Sequence, residues 1–250
     1  MNLNPMEQFT VKPLVPIHLG GYDVSFTNQS LLMVIVVSAA VLFLTLAVKP
    51  GRLVPTRGQS MAEVSYEFVA NMIHSSTGED GLKFFPFVFS LFMFVLLANF
   101  FGMVPGSFTV TSQIAVTFAL ASLVILTVIV VGFARHGIGF LKLFVPHAPL
   151  PLLLLLVPIE VISFLTRPIS LSVRLFANML AGHTMLAVFG GFVVALGAAG
   201  GVLSVLSVAP MLLIVAIMLL ELLLAFLQAY VFAILTCIYL NEALHLHDAH

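Results

Sequence analysis

Hydrophobic and polar positions divide the chain into long apolar stretches joined by short polar connections. The first stretch, Ser30 to Val48, is long enough at 1.5 Å per residue to cross a hydrocarbon core of about 30 Å. It closes at Lys49-Pro50. The segment 49–83 collects Lys49, Arg52, Arg57, Glu63, Glu67, Glu79, Asp80 and Lys83, and reads as a polar connection with a surface helix from about Ser60 to Ile73. Phe84 to Ala134 contains no Asp, Glu, Lys or Arg, and Gly102-Met-Val-Pro105-Gly106-Ser107 divides it into spans at 84–104 and 112–134. Pro146, Pro149, Pro151 and Pro158 then crowd one short segment, which predicts a broken entry and not a span.

Two further stretches, 159–196 and 202–240, are apolar and helical in pattern, with Gly197-Ala-Ala-Gly200-Gly201 as the turn between them. At 1.5 Å per residue each would measure roughly 57 Å, nearly twice the bilayer core, so they must be strongly tilted, bent or broken. Pro168 and Pro210 offer places to bend. Such a hairpin suits packing along the side of another membrane assembly. The pattern therefore predicts an all-α polytopic membrane protein with about five membrane helices plus a surface helix. Residues 1–29 form an N-terminal extramembrane segment and 30–250 a single membrane domain. Residues 1–29 hold Glu7, Lys12 and Asp23 but no basic start, apolar core and small-residue cleavage site, so they read as part of the mature chain. Lys and Arg collect after the first and third spans, the latter at Arg135 and Lys142. This predicts cytoplasmic loops there, an N-terminus outside and a cytoplasmic C-terminus.

Composition agrees with a membrane protein. Of 250 residues, 61% are hydrophobic and 8% charged, against roughly 25% charged in a soluble domain. A net charge of −1 with scattered basic residues excludes a nucleic-acid partner. The single cysteine, Cys237, lies in an apolar helix and reads as a buried, inert thiol.

The few polar residues in the two long stretches are ordered. At 100° per residue, Glu160, Ser163, Arg167, Ser170, Arg174 and Asn178 fall within an arc of about 80°. Glu221, Gln228 and Tyr239 fall within about 20° of one another on the last helix. Arg174 is the costliest of these. A guanidinium does not shed its charge on burial, and at a bilayer centre it costs from roughly 3 to over 10 kcal/mol depending on the method.

Two narrow polar lines on lipid-embedded helices most simply enclose an aqueous or proton-conducting path. The alternative is a structural ion pair between Arg174 and Glu221, with Asn178 and Gln228 as interhelical hydrogen bonds. Arg167 reads as snorkelling toward cytoplasmic headgroups. His183 falls on the face opposite Arg174, so either it serves a different compartment or the helix deforms. The tail His245-Leu-His247-Asp-Ala-His250 reads as a solvated terminus and not a metal site, and His18, His74, His136 and His147 have no ligand spacing. No nucleotide, zinc or serine-nucleophile signature is present, so neither a catalytic centre nor a cofactor is expected.

Pro168-Ile-Ser-Leu followed by Arg174-Leu-Phe-Ala-Asn178-Met-Leu-Ala-Gly resembles the signature of the subunit a family of the F-type rotary ATP synthase. Asn99-Phe-Phe-Gly102-Met-Val-Pro105 and the stretch Leu227-Gln228 through Tyr239-Leu240 match it further, and the resemblance covers Ser30 to Ala243. Some members carry a carboxylate where this chain has His183 and a histidine where it has Glu221. The exchange resembles the alphaproteobacterial and mitochondrial pattern and suggests that the two positions work as a unit.

The resemblance implies a non-catalytic stator subunit of the complex that conducts protons through two half-channels. Its partners would be a rotor ring of c-type subunits carrying membrane carboxylates, b-type peripheral-stalk subunits and the bilayer, with the long helices packed along the ring. Arg174 would face the ring and separate the half-channels, with Asn178 and Gln228 beside it. His183 and Glu221 would line the path open to the outside, and Glu160, with Ser163 and Tyr239, the cytoplasmic exit. The bacterial inner membrane is the expected location, with the mitochondrial inner membrane as alternative. The competing functional class is a proton-coupled secondary transporter in which Arg174 binds an anionic substrate; no internal repeat supports it.

Overall fold

The computed structural model describes residues 10–16, 18–19, 22–23, 25–47, 56–104, 108–144 and 150–245. Lys49, Arg52, the Pro105-Gly106-Ser107 turn, Pro146, Pro149 and the terminal His247 and His250 lie outside them. Among the described residues, seven α-helices follow a short strand region. They are α1 (Asn28–Ala47), α2 (Arg57–Thr77), α3 (Phe85–Gly102), α4 (Ile114–His136), α5 (Leu150–Ala199), α6 (Gly201–Leu206) and α7 (Val208–Leu244). Five helical segments among the described residues are long and apolar enough to cross a membrane.

The helix boundaries have local causes. Before α1, strand β1 (Pro13–Val15) pairs antiparallel with β4 (Phe26–Thr27), and β2 (His18–Leu19) with β3 (Tyr22–Asp23). Strands this short carry no readable period, and none was expected from the pattern. Thr27 then starts α1: its hydroxyl accepts from the Ser30 amide at 3.3 Å, as an N-capping side chain does. Helix α2 begins at the Thr56 cap and is longer than its Ser60 to Ile73 pattern predicts. Its buried residues Ala62, Val69, Met72, Ile73 and Thr77 form one face at helical spacing.

Helix α5 is 50 residues long, about 75 Å at 1.5 Å per residue. It begins well before the proline-crowded segment ends, so the expected broken entry at 146–158 is not what its described residues form. Pro151 falls in the first turn, where a missing N–H loses no hydrogen bond. Pro158 and Pro168 lie inside the helix, a position membrane helices tolerate. The turn after α5 is tight because Gly200 and Gly201 both adopt positive φ, 70° and 59°. The next apolar stretch is interrupted at Ser207, separating α6 from α7. Pro210, in the first turn of α7, has no N–H to offer the Leu206 carbonyl, which accounts for the break.

The chain divides into two compact units. The first comprises 1–41, 94–113 and 175–229, and the second 42–93, 114–174 and 230–250. In the first unit, Val36, Val95, Ala98, Val110, Leu175, Met179 and Ala225 are buried. In the second, aromatic side chains carry much of the packing: Tyr66 meets Phe85 at 4.4 Å, and Phe68 meets both Phe92 and Tyr230 at 5.8 Å. Thr117 and Ser172 hydroxyls join α4 to α5 at 3.1 Å, and Thr77 donates to the Cys237 carbonyl at 3.2 Å.

Candidate functional site

The two polar lines differ in exposure. On α5, Ser163, Ser170 and Arg174 are exposed, and Glu160, Arg167 and Asn178 are half-buried. On α7, Glu221, Gln228 and Tyr239 are all buried. On the side of α5 away from this line, Ile162, Leu165, Ile169 and Val173 present large apolar side chains outward; on α7, Leu219, Leu220, Leu223 and Phe226 do the same.

Arg174 pairs with no carboxylate among the described residues. Glu221 meets His183 instead, Oε1 to Nε2 at 3.5 Å, with 4% of the Glu221 side chain and 12% of the His183 side chain exposed. Neither Glu221 oxygen has a hydrogen-bond partner among the described residues. A buried carboxyl without hydrogen bonds is expensive, and such a group is kept where it has work to do.

The surroundings of this pair belong to the first unit. Gly182 leaves room for the carboxyl: a Cβ there would lie 2.8 Å from Glu221 Oε1. Thr109, in the loop after α3, places its hydroxyl 3.0 Å from His183 Nε2. Asn99 on α3 donates from its side chain to the Ala225 carbonyl at 3.1 Å, tying α3 to α7 one turn beyond Glu221.

A second cluster lies in the other unit. Arg167 ion-pairs with Glu242, and its guanidinium stacks 5.0 Å from the Tyr239 ring centroid and 5.5 Å from that of Phe164. Arg167 therefore does not snorkel to headgroups; a carboxylate and two aromatic faces hold it within the protein. Glu242 lies past the predicted helix end at 240, and α7 continues to Leu244. Two charges in a nearly uncharged helical hairpin were the available signal for this pair. Glu160 and Ser163 lie on α5 ahead of the cluster, one turn apart.

A family model described as ATP synthase A chain matches residues 30–241. The chain belongs to that family. Relatives named ATP synthase subunit a agree along almost their whole length. The one from Mesorhizobium japonicum is 62% identical over 244 residues, 97% of each chain. That from Chelativorans sp. is 62% identical over 246 residues, covering 98% of this chain and 99% of the relative. That from Agrobacterium fabrum is 60% identical over 243 residues, covering 97% and 98%. Among the described residues no cluster of three or more His, Cys, Asp or Glu has the arrangement of a metal site. Cys237, 1% exposed, is buried as a free thiol.

Proposed function

We propose that this chain is the proton-conducting stator subunit of a rotary ATP synthase, providing separate entry and exit paths to carboxylates on a rotor ring. The observation that carries the reading is the buried His183–Glu221 pair, two proton-exchanging groups held 3.5 Å apart in an apolar hairpin. The names of its relatives support the complex to which it is assigned.

In this reading His183 and Glu221 take up protons from the outer side and pass them toward the ring, with Asn178 and Gln228 next along the path. The exposed Arg174 faces the ring and keeps a passing carboxylate ionised. At about 4 Å and an effective dielectric near 20 that attraction is roughly 4 kcal/mol, strong enough to favour deprotonation and weak enough for a proton donor to compete. Because a guanidinium holds its protons, it conducts none between the two paths. Glu160, Ser163 and Tyr239 line the exit to the cytoplasm. The membrane potential supplies about 2.3 kcal/mol per proton per 100 mV, and the ring turns because a carboxylate facing lipid must be neutral.

The chain performs no covalent chemistry itself. Its partners are the ring of c-type subunits, b-type stalk subunits and the bilayer of the bacterial inner membrane. Arg57 at the start of α2, Lys83 after it, Arg135 in the last turn of α4 and Lys142 beyond it support an N-terminus outside and a C-terminus in the cytoplasm. Proton-driven ATP synthesis by the assembled complex in vesicles tests the path. Glu221→Gln, which keeps the shape and removes the titrating group, abolishes synthesis on this reading. Synthesis at the unaltered rate contradicts it.

A further inference from the structure

We infer that Thr109 is a positioning residue for proton transfer at His183, holding the imidazole with its proton on Nε2, the nitrogen that faces Glu221. This rests on the proton-path reading above, which assigns Thr109 no part.

A threonine hydroxyl has one proton to give. The Thr109 hydroxyl lies 3.3 Å from the Gly102 carbonyl oxygen, which only accepts, and 3.0 Å from His183 Nε2. With its proton donated to Gly102, the hydroxyl offers Nε2 a lone pair, the arrangement in which Nε2 donates. The Glu221 oxygen 3.5 Å from the same nitrogen favours the same arrangement, because a carboxylate also accepts.

The loop is shaped to hold Thr109 in this place. The residue is 3% exposed, and Ser112 Oγ donates to its carbonyl at 2.7 Å. At Gly102 a Cβ would lie 2.7 Å from Thr109 Cγ2, so a larger residue would push the threonine out. Asn99, three residues before Gly102, anchors the same helix end to the Ala225 carbonyl. The Asn99-Phe-Phe-Gly102 motif thus has a physical purpose: its asparagine fixes the end of α3 and its glycine admits the threonine that orients the histidine.

The consequence for transfer is directional. When Nδ1 takes up a proton, the imidazolium passes its Nε2 proton to the Glu221 carboxylate, leaving a neutral imidazole and a neutral carboxyl. The imidazole then carries its proton on Nδ1 with Nε2 bare, and the Thr109 hydroxyl turns its own proton from the Gly102 carbonyl toward that nitrogen.

Assembled complex containing ¹⁵N-labelled histidine is examined by solid-state NMR where the ring is neutral, with the His183 signal assigned by its loss in His183→Gln. The expected result is the Nε2–H tautomer in the unaltered chain and in Thr109→Ser, and its loss in Thr109→Val. Proton-driven synthesis falls roughly five- to tenfold in Thr109→Val, the scale of one lost buried hydrogen bond, and stays within about twofold in Thr109→Ser. An Nδ1–H tautomer in the unaltered chain overturns the proposal, as does unaltered synthesis in Thr109→Val. Should Thr109→Val fail to assemble, the tautomer of the unaltered chain decides alone. Glu221→Gln is measured in parallel. If it retains synthesis the path reading fails, whereas its inactivity beside a fully active Thr109→Val defeats only the role of Thr109.

Discussion

His183 on α5 and Glu221 on α7 meet side chain to side chain, Nε2 to Oε1, at 3.5 Å. The glycine preceding His183 makes the meeting possible, since a methyl group at Gly182 would overlap the Glu221 carboxyl. Gly182→Ala is expected to displace the carboxyl and lower proton-driven synthesis by about tenfold or more. Gly190→Ala, where a Cβ meets nothing within 4 Å, is the matched control and should leave synthesis unchanged. Measuring both in vesicles with equal amounts of assembled complex separates the steric effect from a general loss of helix flexibility.

The Arg167–Glu242 pair supplies an independent test of packing in the second unit. Each single charge reversal, Arg167→Glu or Glu242→Arg, places two like charges against one another and should reduce the amount of assembled complex. Combining the two restores the attraction, and recovery of assembly toward the unaltered level is expected. A double variant no better than the worse single one would show that the two side chains are not coupled. The side chains are 18% and 30% exposed, so their coupling should be modest, on the order of 1 kcal/mol.

Asn99 is 0% exposed, and its side-chain amide donates to the Ala225 carbonyl across two helices. Asn99→Leu removes that donor while retaining much of the volume. It should lower the thermal stability of the purified complex by about 1–2 kcal/mol. An unchanged thermal inactivation profile would mean that the bond contributes nothing.

Cys237 is held beneath its helix neighbours, with the Thr77 hydroxyl on its backbone carbonyl. A membrane-permeant maleimide should leave it unmodified in the intact complex and label it after denaturation, as read by mass. Rapid labelling of the native complex would contradict its burial.

Much of this architecture is legible in the chain. Apolar runs free of charge mark α1, α3 and α4, because in a membrane the pattern that buries a helix in lipid is composition and not period. The start of α5 is not legible in this way. Pro151 and Pro158 count as breakers in a soluble chain, yet the first sits where no N–H is needed and the second within a helix whose surroundings tolerate the lost bond. The polar lines on α5 and α7 are readable from helical spacing, and so is the need for an explanation of Arg174. The partners of those residues are less so. Arg167 looks like a snorkelling side chain until α7 is seen to carry Glu242 past the expected end. Thr109 is an unremarkable threonine in a loop, and only the fold brings it 3.0 Å from a histidine 74 positions away.

The central claim is that Arg174 separates two proton paths. ATP synthesis driven by an imposed proton gradient, with passive proton flux recorded in the same vesicles, tests it most directly in assembled complexes carrying Arg174→Ala or Arg174→Lys. The account predicts that synthesis disappears in both variants while the complex still assembles, since alanine removes the charge and lysine replaces a permanent charge with one that can release its proton. Synthesis persisting in Arg174→Ala would mean that the charge is structural and the barrier lies elsewhere.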